Sequence, residues 1–89
     1  MNRLRATATL AVKAVPHVRM FVFGSFVYGE SWPGDVDILV IYEHSSDTKR
    51  IRELIAPLYN ELPIHVLYLT NLEELQLQFI RNEKCIPLA

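Results

Sequence analysis

Residues 24–40 read Gly24-Ser25-Phe26-Val27-Tyr28-Gly29-Glu30-Ser31-Trp32-Pro33-Gly34-Asp35-Val36-Asp37-Ile38-Leu39-Val40. All three glycines of the chain lie between positions 24 and 34. Such a concentration marks backbone that turns sharply or lets another group come close. At Asp35 the pattern changes. Asp35–Tyr42 reads as a strand, and its second half is apolar at every position, as in a strand buried on both faces. Upstream, His17–Phe23 is rich in β-branched and aromatic residues and ends at Gly24, which predicts a strand followed by a tight turn. The two strands are expected to be neighbours across the glycine-rich connection.

Working outward, Leu4, Ala8, Ala11, Val12 and Val15 share one face at helical spacing. Asn2 is placed to cap that helix and Pro16 to stop it. The polar cluster His44–Thr48 opens a second helix carrying Ile51, Leu54, Ile55 and Leu58, which Pro57 should kink or end. Pro63–Leu69 reads as a third strand. Thr70-Asn71-Leu72-Glu73 has capping-box spacing and starts a last helix with Leu72, Leu75 and Phe79. Cys85–Ala89 reads as a short extended tail. The second and third strands are separated by a helix, so a parallel crossover joins them. The expected fold is therefore α/β (α+β): a small mixed sheet of three or more strands with helices packed on it.

The chain has 89 residues, enough for one domain spanning 1–89. Nine Lys+Arg against ten Asp+Glu give a formal charge of −1, which argues against an extended surface for duplex nucleic acid. A mean hydropathy of +0.15 is apolar for so small a chain, so a partner or a second copy is expected to cover part of the surface. The single cysteine, Cys85, makes no disulfide scaffold and reads as a packed or idle thiol. No apolar run approaches the roughly 20 residues that span a bilayer. Lys13 interrupts the apolar stretch near the start, which reads as a helix of a cytoplasmic protein.

Asp35 and Asp37 are two apart on a strand, so both side chains leave the same face, with Cβ atoms roughly 6.6 Å apart. Two ionised carboxylates at that range repel by about 2.5 kcal/mol at an effective dielectric of about 20. A divalent cation relieves that repulsion. Mg²⁺ takes hard oxygen ligands and keeps waters and substrate phosphates in its shell, and two such ions can clamp a phosphoryl transfer. Gly24-Ser25, where the preceding strand ends, lets backbone N–H groups and a hydroxyl face a phosphate. A lone Gly-Ser is usually a turn, and a lone Asp-x-Asp is usually a solvated strand entry. In this order, with nine residues between Ser25 and Asp35, they become specific.

Gly-Ser, about ten residues, then Asp-x-Asp followed by apolar residues resembles the signature of the DNA polymerase β-like nucleotidyltransferase superfamily. The size is similar to that of the minimal nucleotidyltransferases, often partnered with helical HEPN proteins in toxin–antitoxin pairs. The resemblance implies a mixed-sheet α/β fold, with Gly24 and Ser25 on the triphosphate of a nucleoside triphosphate. It implies Asp35 and Asp37 on Mg²⁺ (or Mn²⁺), and transfer of a nucleoside monophosphate to a hydroxyl with release of pyrophosphate. The stretch departs from the usual Gly-Ser-x-Ala-Arg-Gly in lacking the arginine, and Gly34 stands where serine commonly precedes the first aspartate. Active members place a third carboxylate on the following strand. Here His65 occupies the aligned stretch, and the nearest acid, Glu61, precedes it. Imidazole is a poor Mg²⁺ ligand and a competent general base near neutral pH. His65 thus reads as a hydrogen-bonded strand histidine, as a base, or as a metal contact. Tyr28 and Trp32 either pack or stack on a base, and Arg50 and Arg52 lie on a solvated helix face or reach phosphates.

Three functions compete. The first is a metal-dependent nucleotidyltransferase with Asp35, Asp37 and His65 as catalytic candidates. The second is a weakly active or inactive interaction module, antitoxin-like, that docks on a helical partner. The third is a small α/β domain of unrelated function, which would bind neither nucleotide nor metal.

Overall fold

The computed structural model describes residues 2–24, 36–61 and 63–88. Helix α1 (Asn2–Ala14) leads to strand β1 (Arg19–Phe23). Strand β2 (Val36–Tyr42) is followed by helix α2 (Ser45–Ile55), a 3-10 turn over Ala56–Asn60 and strand β3 (Ile64–Thr70). Helices α3 (Asn71–Leu77) and α4 (Phe79–Asn82) and the short strand β4 (Ile86–Pro87) complete the described chain. The strands form one sheet in the order β3-β2-β1-β4. β1 is antiparallel to β2 and to β4, and β2 is parallel to β3. The expected mixed sheet forms, with the first two strands as neighbours and a parallel crossover between the second and third; the structure adds that the first pair is antiparallel. The fourth strand falls in the stretch read as an extended tail, where Leu88 is buried and its N–H donates to the Met20 carbonyl.

The alternation of side chains divides the core between the two faces of the sheet. Met20, Val22, Val36, Ile38, Val40 and Ile64 meet Leu4, Ala8 and Ala11 of α1, Val15 just beyond it, and Ile51 and Ile55 of α2. On the other face Phe21, Leu39, Ile41 and Leu69 form a smaller cluster, flanked by Phe23, Phe79, Ile80 and Cys85. Phe23 and Phe79 meet edge to face, with centroids 4.9 Å apart. Central β2 serves both clusters, and Ile38–Ile41 are wholly buried. Burial of such side chains contributes about 1.5–3 kcal/mol each.

Local sequence sets the element ends. Pro57, which lacks a backbone N–H, closes α2 after Ile55 and sits in the first turn of the 3-10 helix, whose Leu58 is buried. Thr70 caps α3: its hydroxyl accepts from the Glu73 N–H at 3.1 Å, and its own N–H donates to the Glu73 carboxylate at 2.9 Å. The last helix is not continuous, because Gln78 is left-handed (φ 50°, ψ 43°) and splits it into α3 and α4. Phe79 packs on the sheet, whereas Leu72 and Leu75 face solvent.

Candidate functional site

Of the five residues read as catalytic, metal-binding or phosphate-binding, Gly24, Asp37 and His65 lie within the described chain, and the sheet brings them to one end. Phe23 of β1 stands opposite Asp37 of β2, and Asp37 stands opposite His65 of β3. Opposed residues on adjacent strands project to the same face, at an interstrand spacing of about 4.8 Å. Phe23, Asp37 and His65 therefore form one row across the sheet, on the face of the smaller core cluster. Ser25 and Asp35 lie outside the described residues, as do Tyr28 and Trp32.

The register is held from the opposite face. Val36 and Ile64, the neighbours of Asp37 and His65, are buried in the larger cluster. The Val36 N–H donates to the Pro63 carbonyl at 2.8 Å, aligning the starts of both strands. A one-residue slip of β3 would turn Ile64 out to solvent and drive His65 into the core, so the hydrophobic pattern itself keeps the imidazole beside Asp37. His65 is exposed and Asp37 half-buried.

Gly24 completes the arrangement. Its φ of +79° lies in the left-handed region, where an L side chain costs roughly 1–2 kcal/mol. A Cβ placed on it would collide with Oδ2 of Asp37. The carboxylate thus occupies the space that any other residue at position 24 would fill. No Lys or Arg among the described residues makes an ion pair with Asp37.

Glu61, the nearest acid in sequence to β3, is engaged elsewhere. Its carboxylate meets Arg3 Nε of α1 at 2.7 Å, beside the helix that covers the opposite face. Among the described residues no set of three His, Cys, Asp or Glu side chains comes together as a metal cage. The observed donor set is one carboxylate and one imidazole, with glycine backbone against the carboxylate. That set fits a divalent cation that keeps open positions for water or phosphate. Arg50 lies near Glu53 on α2, and the Arg52 guanidinium stands 5.0 Å from the Tyr68 ring centroid. Both are exposed.

No helix among the described residues is long and apolar enough to cross a membrane. Comparison with curated protein sequences gives no match. The family model described as "Polymerase beta, Nucleotidyltransferase" matches residues 10–87. That span runs from within α1 through β4 and includes Gly24, Asp37 and His65 in the order the site requires. The chain belongs to the polymerase beta nucleotidyltransferase family.

Proposed function

We propose that the protein is a metal-dependent nucleotidyltransferase that passes a nucleoside monophosphate from a nucleoside triphosphate to a hydroxyl. The observation that carries this reading is the row Asp37–His65 with Gly24 packed against the Asp37 carboxylate, in a chain of this family. Asp37, with Asp35, would hold Mg²⁺ or Mn²⁺. The ion, when bound, neutralises charge on the phosphates and stabilises that developing in transfer. Gly24 and Ser25 provide backbone N–H and hydroxyl donors for the triphosphate. His65 supplies the third side chain of the site, on the strand where active relatives carry an acid.

The test is transfer of label from α-³²P nucleotides with Mg²⁺ or Mn²⁺, with candidate protein acceptors that include any helical HEPN-type partner. Asp37→Asn should reduce transfer by at least about a hundredfold, in line with loss of a main charge-stabilising group. Equal transfer by the variant would refute the reading.

A second reading is favoured by Leu72, Leu75 and Leu77, which are 63%, 72% and 55% exposed on α3, together with the missing third acid. In it the protein docks on a helical partner and catalyses weakly or not at all. A complex that survives Asp37→Asn but dissociates with Leu72→Glu/Leu75→Glu supports that reading. A chain that stays monomeric and binds no partner excludes it.

A further inference from the structure

Three features of the row bear on which ion it takes. First, β3 offers an imidazole at the position opposite Asp37, so one donor is nitrogen and the local negative charge is lower by one than with a carboxylate there. Second, the other neighbour of Asp37 in the row is Phe23, which offers no donor, so within the row the side chain beside Asp37 that carries a donor atom is His65. Third, burial of Ile64 keeps the imidazole on this face. Mg²⁺ demands hard oxygen ligands and dehydrates reluctantly. First-row transition ions accept imidazole nitrogen readily, and their affinities for mixed N,O sites rise from Mn²⁺ onward.

From this we infer that Asp37 and His65 together form an N,O site selecting a first-row transition dication, with Mn²⁺ as its simplest representative, over Mg²⁺. The inference rests on the reading that the site holds a divalent ion, and it assigns His65 to the metal. Removing the imidazole should therefore change ion preference before it changes anything else.

The experiment measures ion binding by the full-length chain, without reference to activity. Free Mn²⁺ is followed by EPR in titrations with and without competing Mg²⁺, and nitrogen coupling to bound Mn²⁺ is read by pulsed EPR. The wild-type protein should bind Mn²⁺ at least tenfold more tightly than Mg²⁺ and show a histidine nitrogen coupling. His65→Gln should lose the coupling and weaken Mn²⁺ about tenfold with little change in Mg²⁺. His65→Asp should tighten Mg²⁺ and shrink the preference. Circular dichroism establishes that each variant is folded, and two different replacements guard against one failing to fold. Absence of nitrogen coupling in the wild type, or an Mn²⁺:Mg²⁺ ratio unchanged in both variants, overturns the inference. If both ions still bind in that case and Asp37→Asn abolishes them, the nucleotidyltransferase reading stands without it. If neither ion binds the wild type, alone or with ATP, both fail.

Discussion

Gly24 carries two separable constraints, a left-handed backbone and close approach of the Asp37 carboxylate. Gly24→Ala should destabilise the fold by about 1–3 kcal/mol, from strain at positive φ plus the displaced carboxylate. For a chain of this size each kcal/mol is worth about 4–8 °C in Tm. The two parts are resolved by a double-mutant cycle. In an Asp37→Ala background the collision is gone and only the backbone strain remains, so the glycine substitution should cost roughly 1 kcal/mol less there. Additive costs would mean that the carboxylate does not press on Gly24. Cys85 gives a second test at this scale. Burial, reinforced by the nearby Glu74 and Glu83, pushes its thiol from 9.0 up to about 11. A group whose pKa is raised by folding stabilises the native state below its unfolded value and loses that contribution as pH climbs to the folded one. Wild-type stability should therefore fall between about pH 9 and pH 11 relative to Cys85→Ala, in paired urea melts. Parallel pH curves would show that the thiol ionises as readily folded as unfolded.

Among the elements, α3 depends most on its cap. It has seven residues, none of them buried, too few to be stable on intrinsic propensity. Thr70→Ala removes the hydroxyl that accepts from Glu73 and should cost about 1 kcal/mol, with faster amide exchange across residues 71–77 than across α2. Unchanged exchange there would mean that packing on β3 alone holds the helix. This cap was legible from four residues, because a capping box is local chemistry. So were the end of α2 at Pro57 and the two-sided burial of β2, which continuous apolarity announces. The outward turn of Leu72 and Leu75 was not legible. Their spacing matches a helix face, but periodicity does not say how far the sheet extends beneath it. The extended conformation around β4 was read, but its pairing with β1 was not, because its two residues, Ile86 and Pro87, carry no alternation to read. At the site, His65 was singled out only through the family resemblance, as the residue where relatives carry an acid; its register opposite Asp37 came from the coordinates. The role of Gly24 as space for a carboxylate needed coordinates, since a glycine in sequence does not name the atom that comes close.

At the scale of the whole molecule, the two core clusters hang on neighbouring residues of one strand. Ile38 faces the larger cluster under α1 and α2, and Leu39 faces the smaller one with Phe23, Phe79 and Cys85. Each is wholly buried, so truncation to alanine should cost about 2–5 kcal/mol in either case, a large part of the roughly 5–15 kcal/mol that holds such a domain. The two losses should nevertheless propagate differently. The Leu39 side projects on the same face as Asp37 and His65 and shares its cluster with Phe23, the neighbour of Asp37 in the row. Leu39→Ala should therefore loosen α4 and the site together. In native buffer it should speed the reaction of Cys85 with a disulfide reagent severalfold and weaken Mn²⁺ binding. Ile38→Ala, at a comparable loss of Tm, should leave both rates and affinities near wild type while the protein is folded, because its cavity opens on the opposite face. If both variants expose Cys85 equally at matched distance below their Tm, the sheet does not insulate one face from the other. The row at Asp37 would then owe its geometry to global stability rather than to the packing immediately beneath it.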